Sequence, residues 1–343
     1  MKKLLQLKHI PLRYPFLFPF ILFLAAVTVN GILQPNLFEL RVLNGNLRTF
    51  LPLMLVTVGQ ALVIMGSGID LSIGAIVSLV TAVLVTNLEP DSPPFVIMTV
   101  VAMACGAGMA AGALNGFGVA VLRVPPIVTT YATGFIFSGF ALWILPRPGG
   151  SMPAELAQWY RRATPLNVPL GVWIAAILVL LWFLFRRTRY GAYLMAAGGK
   201  PEAAYATAVP VNAVRFGTYV AAGLFAALGA LALTLGTGSG DPRIGVGITT
   251  TGGMTLDSIV AVVLGGTRLS GGQGGVAGSV LGVIILGLIR NIISFANVPS
   301  WNQTLVDATI IIVALAAPGL IAFIRDRRRR IARFSPAEAE VGT

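Results

Sequence analysis

Two glycine-rich strings each carry an ionisable side chain next to a long apolar stretch. GSGIDLSIG begins at Gly66 and GGTRLSGGQGG begins at Gly265, and both contain glycine, any residue, an acid or base, Leu, Ser, any residue and glycine. In the first string the glycines can interrupt a helix, and the Asp70 carboxylate can cap the free amide groups of the next one. Asp70 is therefore either a helix cap or a polar element beside a solute path, because ionisable groups near hydrocarbon are costly.

Arg268 occupies in the second string the position that Asp70 occupies in the first. We predict, as a hypothesis, that the two motifs face each other or a partner at the inner mouth of a path. Gln60, Asn115 and Asn291 are further candidates for lining that path, because each is a polar side chain in an otherwise apolar stretch. An interhelical hydrogen bond explains each of these three residues at least as well as contact with a solute.

Residues 186–215, which we name the central loop, form the one long basic and soluble-looking segment between apolar stretches. Pro201 suits the first position of a helix, and Glu202 favours its positive end. The following AAYATA is strong helix-forming sequence, and Pro210 ends it. The pattern predicts a helix of about two turns.

Glycines on either side of this short helix are expected to give it flexible flanks, while Arg186 and its basic neighbours anchor the preceding helix at the lipid headgroups. Such a helix can simply lie in the membrane interface. The better-supported role is that of a helix that inserts into a partner protein and transmits its movement. The flanking glycines are Gly191, Gly198 and Gly199.

The sequence contains no pattern typical of a catalytic, metal or nucleotide site. The phosphate-binding pattern G-x-x-x-x-G-K-[ST] does not occur, and the nearest string, AAGGKPEA, lacks its spacing and its Ser or Thr. His9 is the single histidine, Cys105 is the single cysteine, and no cluster has metal-ligand spacing. We therefore expect no catalytic residue, metal or cofactor on this chain.

The composition is that of a membrane protein. Hydrophobic residues make up 56% of the 343 residues, charged residues only 10%, and the mean hydropathy is +0.85. Ordinary globular domains have roughly 25% charged residues. The net charge of +12 comes from short patches between apolar runs, which indicates membrane topology rather than binding of nucleic acid.

The predicted fold is an all-α integral membrane bundle of about ten transmembrane helices, some of them short or broken. A cytoplasmic tail of residues 1–14 precedes the transmembrane domain at 15–324, and a basic cytoplasmic tail follows at 325–343. The first helix is expected to stay uncleaved. Apolar runs predict helices near 15–34, 50–67, 71–88, 95–122, 126–145, 169–185, 216–238, 255–267, 274–293 and 303–324.

The distribution of basic residues predicts the orientation. With both termini in the cytoplasm, the terminal tails and the central loop lie inside, together with most of the 24 Lys and Arg residues. This asymmetry follows the positive-inside rule, and the acidic turn at Glu89 and Asp91 falls outside.

Four strings, taken in order, identify a family. GIDLSIG, NGFGVAVLRVPPIVTTYATGFIFSG, YGAYLMAAGGKPEAAYATAV and LDSIVAVVLGGTRLSGGQGGVAGSVLGVIILGLIRN resemble the ribose/xylose/galactose-type permeases of bacterial ABC transporters, over about residues 50–320. The resemblance implies ten helices per subunit and a pathway formed by two permease subunits. It also implies two ATPase subunits, which hold the ATP and Mg, and a periplasmic sugar-binding protein. The residues that it places at the ATPase are Gly191, Gly198, Gly199, Lys200, Pro201, Glu202, Ala203 and Ala204.

Three positions depart from the family pattern. Lys200 stands where the family usually has an Asn that caps the short helix, Pro210 replaces a more usual turn residue, and no Glu precedes Leu256. The identity of the solute therefore stays open, as does the choice between a homodimer and a heterodimer with a sister permease.

The leading functional hypothesis is the membrane subunit of an ATP-driven importer, which moves a monosaccharide or similar small polar solute across the bacterial inner membrane. The alternative is an ion-coupled secondary transporter, which would need a titratable group in the membrane. A scaffold or lipid-binding membrane protein is a third possibility. The acids available to an ion-coupled transporter are Asp70, Asp257 and Asp307.

Overall fold

A computed structural model describes residues 17–245 and 253–296, together with positions 299, 302, 305, 309 and 312. Helices dominate these residues, and no β-strand occurs among them. The helices are α1 Leu17–Leu33, α2 Leu40–Met65, α3 Ile73–Asn87, α4 Pro94–Gly116, α5 Pro126–Ile144, α6 Ala154–Arg162, α7 Leu170–Arg186, α8 Arg189–Gly199, α9 Pro201–Ala206, α10 Val211–Thr237, α11 Met254–Leu264 and α12 Val276–Phe295.

Five helices in the described residues are long and apolar enough to cross a membrane: α2, α4 with its π-helical extension Phe117–Val121, α5, α10 and α12. A sixth crossing is possible where the α6 segment joins α7 through a bend of 77°. The helices α1, α3 and α11 are apolar but shorter. These features confirm an all-α membrane bundle with short and broken helices. The predicted tenth helix at 303–324 and the tails at 1–14 and 325–343 lie outside the described residues, apart from isolated positions.

Two helices were not predicted, and one begins earlier than predicted. The helix α2 starts at Leu40 rather than near residue 50, because its first turns contain polar residues that an apolar-run criterion rejects. The helix α6 is amphipathic, with Glu155 in its first turn and two arginines in its last. The helix α8 contains three glycines, which sequence reasoning assigned to flexible backbone.

Small residues hold the centre of the bundle together. The helix α10 packs against both α2 and α4, and the closest approach joins the backbones of Gly223 and Gly108. A Cβ atom at Gly59 would lie 2.9 Å from the Cα atom of Ala222, so α2 and α10 are also nearly in backbone contact. Close approach gives dispersion contacts where lipid supplies no hydrophobic drive for helix association.

The change Gly108→Val should destabilise the bundle by about 1–3 kcal/mol, because added methyl groups would overpack the contact between α4 and α10. A Cβ atom at Gly108 would lie 2.5 Å from the Gly223 carbonyl oxygen. The matched control is Gly106→Val on the same helix, where a Cβ atom meets nothing within 4 Å. Thermal unfolding of both purified variants in detergent measures the difference, and equal melting temperatures would contradict the packing argument.

A contact near each end of α2 distinguishes the two ends of the bundle. At one end the Gly272 amide donates a hydrogen bond to the Met65 carbonyl oxygen at 3.0 Å, which joins the turn after α11 to the end of α2. We name this the central-loop end, because α8 packs there. At the opposite end the Arg48 guanidinium donates to the Arg161 carbonyl oxygen at 3.2 Å, which joins α2 to α6.

Candidate functional site

The central loop folds into two short helices, α8 and α9, joined at Lys200. Thr188 caps α8: its hydroxyl accepts a hydrogen bond from the Gly191 amide at 3.2 Å and donates to the Phe185 carbonyl oxygen at 2.6 Å. Pro201 occupies the first position of α9, as the sequence predicted. Lys200 precedes α9 without a side-chain cap, which agrees with the loss of the capping Asn.

The helix α9 is shorter than predicted. It ends at Ala206, four residues before Pro210, and Ala208 follows in the left-handed region with φ of 62°. Thr207 terminates the helix, and its hydroxyl donates to the Ala204 carbonyl oxygen at 2.9 Å. The helix α9 therefore ends before Pro210, so the proline is not what terminates it.

The prediction of flexible glycines around α9 is wrong, because all three lie within the helix α8. Gly198 contacts the Met65 carbonyl oxygen so closely that a Cβ atom there would overlap it. A Cβ atom at Gly191 would also clash with the Phe185 carbonyl oxygen, although less severely, because α8 folds back onto the end of α7. At Gly199 the nearest atom to a Cβ would be the Cα of Gly272, at an ordinary 3.8 Å. Two of the three glycines thus serve close packing.

Three segments that are far apart in the sequence meet at Gly198. Gly271 and Gly272 adopt left-handed backbone with φ of 80° and 68°, and their turn lies against Gly198 and Gly199. The Gly272 amide bonds the Met65 carbonyl oxygen, as described above. We name Met65, Gly198, Gly271 and Gly272 the glycine junction. It connects α8 to the end of α2 and to the turn after α11 through main-chain atoms. Because these contacts cannot yield by a change of side-chain rotamer, a displacement of α8 is expected to move both neighbouring segments.

The helix α9 has an outward face and an inward face. Glu202, Ala203 and Tyr205 point outward, and the Tyr205 side chain is 77% exposed. Ala204 is buried in a small apolar cluster with Val209 and other residues of the central loop. The sequence placed Ala203 and Ala204 together at a partner, whereas the structure separates them. It also adds Tyr205, whose aromatic ring among small residues was the available signal.

A buried polar network surrounds Asp70. Its Oδ1 atom accepts hydrogen bonds from the Ser72 amide at 2.8 Å and from the Ser72 hydroxyl at 2.7 Å. Ser72 Oγ in turn accepts from the Asn115 amide at 2.7 Å, and the Thr133 hydroxyl donates to the Asn115 carbonyl oxygen. The network joins the start of α3 to α4 and α5. Asp70 caps the turn before α3, which was one of its two interpretations, and Asn115 makes the interhelical hydrogen bonds that were one of its own two. Contact of either residue with a solute stays a prediction.

The change Asn115→Ala should destabilise the protein by about 1–3 kcal/mol, because it removes the two buried side-chain hydrogen bonds that join α4 to Ser72 and to Thr133. The control is Asn87→Ala, since the exposed Asn87 amide donates to the Val83 carbonyl oxygen of its own helix. Denaturation in detergent compares the two variants. A loss of stability no larger than that of the control would contradict a structural role for Asn115.

The two related motifs meet through their backbones, whereas their charged side chains are not joined. The Ser67 hydroxyl donates to the Ser270 carbonyl oxygen at 3.2 Å, so the turns that carry Asp70 and Arg268 are in contact. Arg268 is exposed, whereas Asp70 is fully buried. No hydrogen bond or ion pair within the described residues links the two side chains. The local sequence similarity therefore does not make the two residues structurally equivalent.

The other two candidates for the path lie apart from the Asp70 network. Gln60 is fully buried on α2, and neither amide atom has a hydrogen-bond partner in the described part of the chain. Asn291 is half-buried on α12, and its Nδ2 atom likewise has no partner there. Among the described residues, therefore, Gln60 makes no interhelical hydrogen bond and the Asn291 Nδ2 atom makes none either, and the role of each residue stays a prediction.

A recess of about 200 Å³ lies beside the Asp70 network, and sequence reasoning missed it. It is bounded by α3, α5 and the start of α11, and its wall includes Leu71, next in the chain to Asp70. Tyr131 and Phe135 stand on α5 with their rings edge to face at a centroid distance of 4.9 Å. Both rings are exposed. An aromatic wall with Ser138 and Thr255 nearby offers apolar faces and hydroxyl groups to a polar solute.

Asp257, which was considered as an ion-coupling acid, forms an ion pair inside the bundle. Its Oδ1 atom lies 2.8 Å from the Arg290 guanidinium, which joins α11 to α12. Such a charge-assisted bond satisfies an acid that would be costly alone in the membrane. Asp307, the third acid considered, lies outside the described residues.

Comparison with known proteins identifies the family. Residues 42–315 match the family described as "Branched-chain amino acid transport system / permease component". The chain is 32% identical to the ribose import permease of Escherichia coli strain K12, over 85% of this chain and 90% of that protein. It is 31% identical to the galactose/methyl galactoside import permease of Haemophilus influenzae, over 78% and 83%. The fructose import permease of Bifidobacterium longum is 28% identical, over 80% and 82%.

No solved structure matches the chain. The family match covers most of the sequence and includes the Asp70 network, the central loop and the glycine junction. The chain therefore belongs to the family of branched-chain amino acid transport system permease components, and it is a transport subunit rather than an enzyme.

Proposed function

We propose that this protein is the membrane-spanning subunit of an ATP-binding cassette importer, which carries a monosaccharide across the bacterial inner membrane. The relatives named for ribose, galactose and fructose support a sugar as the solute, since each aligns over most of its length. The observation that carries the coupling mechanism is the glycine junction, which ties an exposed helix to the membrane helices. ATP and Mg belong to a partner ATPase.

Coupling in this proposal begins at α9. Its outward residues Glu202 and Tyr205 contact the ATPase, and nucleotide-driven closure of the ATPase pair displaces α9 together with α8. The glycine junction passes this displacement to the end of α2 and to the turn after α11. The turn from Ser67 leads directly to Asp70, so the movement reaches the polar network and the neighbouring recess.

The pathway forms between two permease subunits, either two copies of this chain or this chain and a sister permease. The recess beside Tyr131 and Phe135 supplies one wall, where sugar C–H groups pack on the rings and hydroxyl groups meet Ser138 and Thr255. A periplasmic binding protein delivers the sugar to the opposite end of the bundle. A passage of this kind needs moderate affinity, because tight binding would slow release.

We further propose ten crossings with both termini in the cytoplasm, so that the central-loop end faces inward. Single cysteines introduced into a Cys105→Ser background test this orientation. Ala206→Cys, on α9, should react with a membrane-impermeant maleimide only after the cells are permeabilised, whereas Asp91→Cys, at the opposite end, should react in intact cells. The reverse pattern would overturn the orientation and the coupling role of α9.

Uptake measurements test the function itself. Cells that lack this chain are complemented with it, and import of radiolabelled ribose, galactose and fructose is compared under ATP depletion and under a protonophore. We expect uptake of at least one sugar to stop when ATP is depleted while the proton gradient is maintained. Uptake that survives ATP depletion but collapses with the gradient would support the ion-coupled secondary transporter instead. An affinity-tagged chain should also co-purify an ATPase.

A further inference from the structure

An apolar groove of about 550 Å³ runs along the outside of the bundle at the central-loop end. This volume falls in the range of about 300–1,000 Å³ that is typical of ligand sites. Its walls are almost entirely hydrocarbon and come from α2, α7, α8 and α10, with Val276 at the start of α12. The groove is separate from the recess proposed for the sugar.

The groove has a closed floor and an open side. Trp182 is buried at the floor and packs against Gly275. Leu181 and Phe185 line the groove and are also exposed, so it opens toward the surroundings of the bundle. On the α10 side, Gly217 leaves space, because a Cβ atom there would meet nothing within 4 Å. An apolar groove of this volume with an open side suits a hydrocarbon chain.

Three arginines form a cationic rim beside the groove. Phe185 and Tyr190 line it, and the chain between them contains Arg186, Arg187 and Arg189, all of them exposed. These three arginines form no ion pair within the described residues. The Thr188 cap and the tight packing of Gly191 described above fix this turn. The rim is therefore a fixed cluster of positive charge at the edge of an apolar groove.

We propose that the groove binds an acyl chain of an anionic phospholipid, whose phosphate is held by the three arginines. Arginine matches phosphate geometry with paired N–H donors, and basic residues at a membrane surface attract anionic lipid. The charge of the rim also argues against the chain's own N-terminus as the occupant. That segment carries Lys2, Lys3, Lys8 and Arg13 and would be repelled.

The position of the groove gives the lipid a route to the transport mechanism. Tyr190 and Leu194 line the groove and belong to α8, the helix that contains Gly198 of the glycine junction. A bound lipid therefore packs against the element that we propose to transmit force from the ATPase. In the proposed orientation the site lies in the cytoplasmic leaflet, and the lipid composition of that leaflet modulates coupling.

Fluorescence quenching tests the site without any measurement of transport, so its result is independent of the proposed function. Trp182 is kept as the only tryptophan by changing Trp143, Trp159, Trp173 and Trp301 to Phe. The full chain is placed in nanodiscs that contain brominated-acyl phosphatidylglycerol or brominated-acyl phosphatidylcholine. We expect phosphatidylglycerol to quench Trp182 at a mole fraction lower by on the order of tenfold.

Two sets of variants separate the rim from the groove. Changing the three rim arginines to Gln should abolish the preference for phosphatidylglycerol, and changing them to Lys should retain most of it. Gly217→Leu, which fills the groove, should reduce quenching by both lipids. Gly106→Leu, at another open glycine on α4, should leave quenching unchanged and controls for folding. The proposal would be overturned if the two lipids quenched Trp182 equally in the protein with its native groove and rim. It would also be overturned if the preference for phosphatidylglycerol persisted after the three arginines were changed to Gln.

Discussion

Replacing Gly198 with alanine is expected to reduce solute uptake to background while the protein still inserts into the membrane. A Cβ atom at this position overlaps the Met65 carbonyl oxygen and lies 2.8 Å from the Gly272 amide nitrogen. Both neighbours are main-chain atoms, which cannot move aside as a side-chain end can. Overpacking of this kind costs about 1–3 kcal/mol locally. The added methyl group should therefore force α8 away from the end of α2 and break the transmission path.

Gly199→Ala is the matched control, because the two residues are adjacent in the same helix. Its Cβ atom would make only an ordinary contact of 3.8 Å with Gly272. Sugar uptake, ATPase activity and membrane content are measured for both variants with the ATPase and binding protein present. We expect the alanine at 199 to retain most uptake. Similar uptake by the two variants would remove the glycine junction from the mechanism.

Glu202→Lys is expected to abolish uptake by preventing stable association with the ATPase. Glu202 is exposed in the first turn of α9, where a carboxylate also favours the positive end of the helix. Reversing its charge places a cation at the proposed contact surface beside the exposed ring of Tyr205. The effect should appear as loss of ATPase co-purification, while the melting temperature of the permease changes little.

Glu155→Lys provides the comparison for Glu202→Lys, because Glu155 is likewise an exposed acid in the first turn of a short helix. It lies at the opposite end of the bundle, so the two changes share their effect on the helix dipole and differ only in location. The variant at 155 should still co-purify the ATPase. Normal ATPase binding and uptake with lysine at 202 would place the coupling surface elsewhere.

Much of this fold could be predicted from the sequence, because lipid imposes a simple rule on apolar length. Runs of apolar residues located nine of the described helices, and α11, with 11 residues, is one of the short helices that were expected. The helix α6 escaped notice because charge at both ends hides a short amphipathic helix. The helix α8 was missed because Gly191, Gly198 and Gly199 suggest flexible backbone when the sequence is considered locally. Tertiary packing requires the small size of Gly191 and Gly198.

The parts of the candidate site that depend on neighbouring residues in the sequence were predictable. Pro201 and Glu202 predicted the start of α9, and Asp70 predicted a capped turn before α3. The remainder depends on contacts between segments that are far apart in sequence. Met65, Gly198 and Gly272 give no local sign that they meet, and the recess beside Tyr131 requires three helices to be placed. Arg268 matched Asp70 by pattern alone, and the pattern carries no information on burial.

The glycine junction also affects how this permease can be re-engineered. Since its contacts use main-chain atoms, they place little demand on the side chains of the outward face of α9. That face can change its charge and its aromatic residue while the link behind it stays intact. Exchanging only the exposed residues of α9 is therefore a route to pairing this transporter with the motor of another importer, provided that the glycines are left in place.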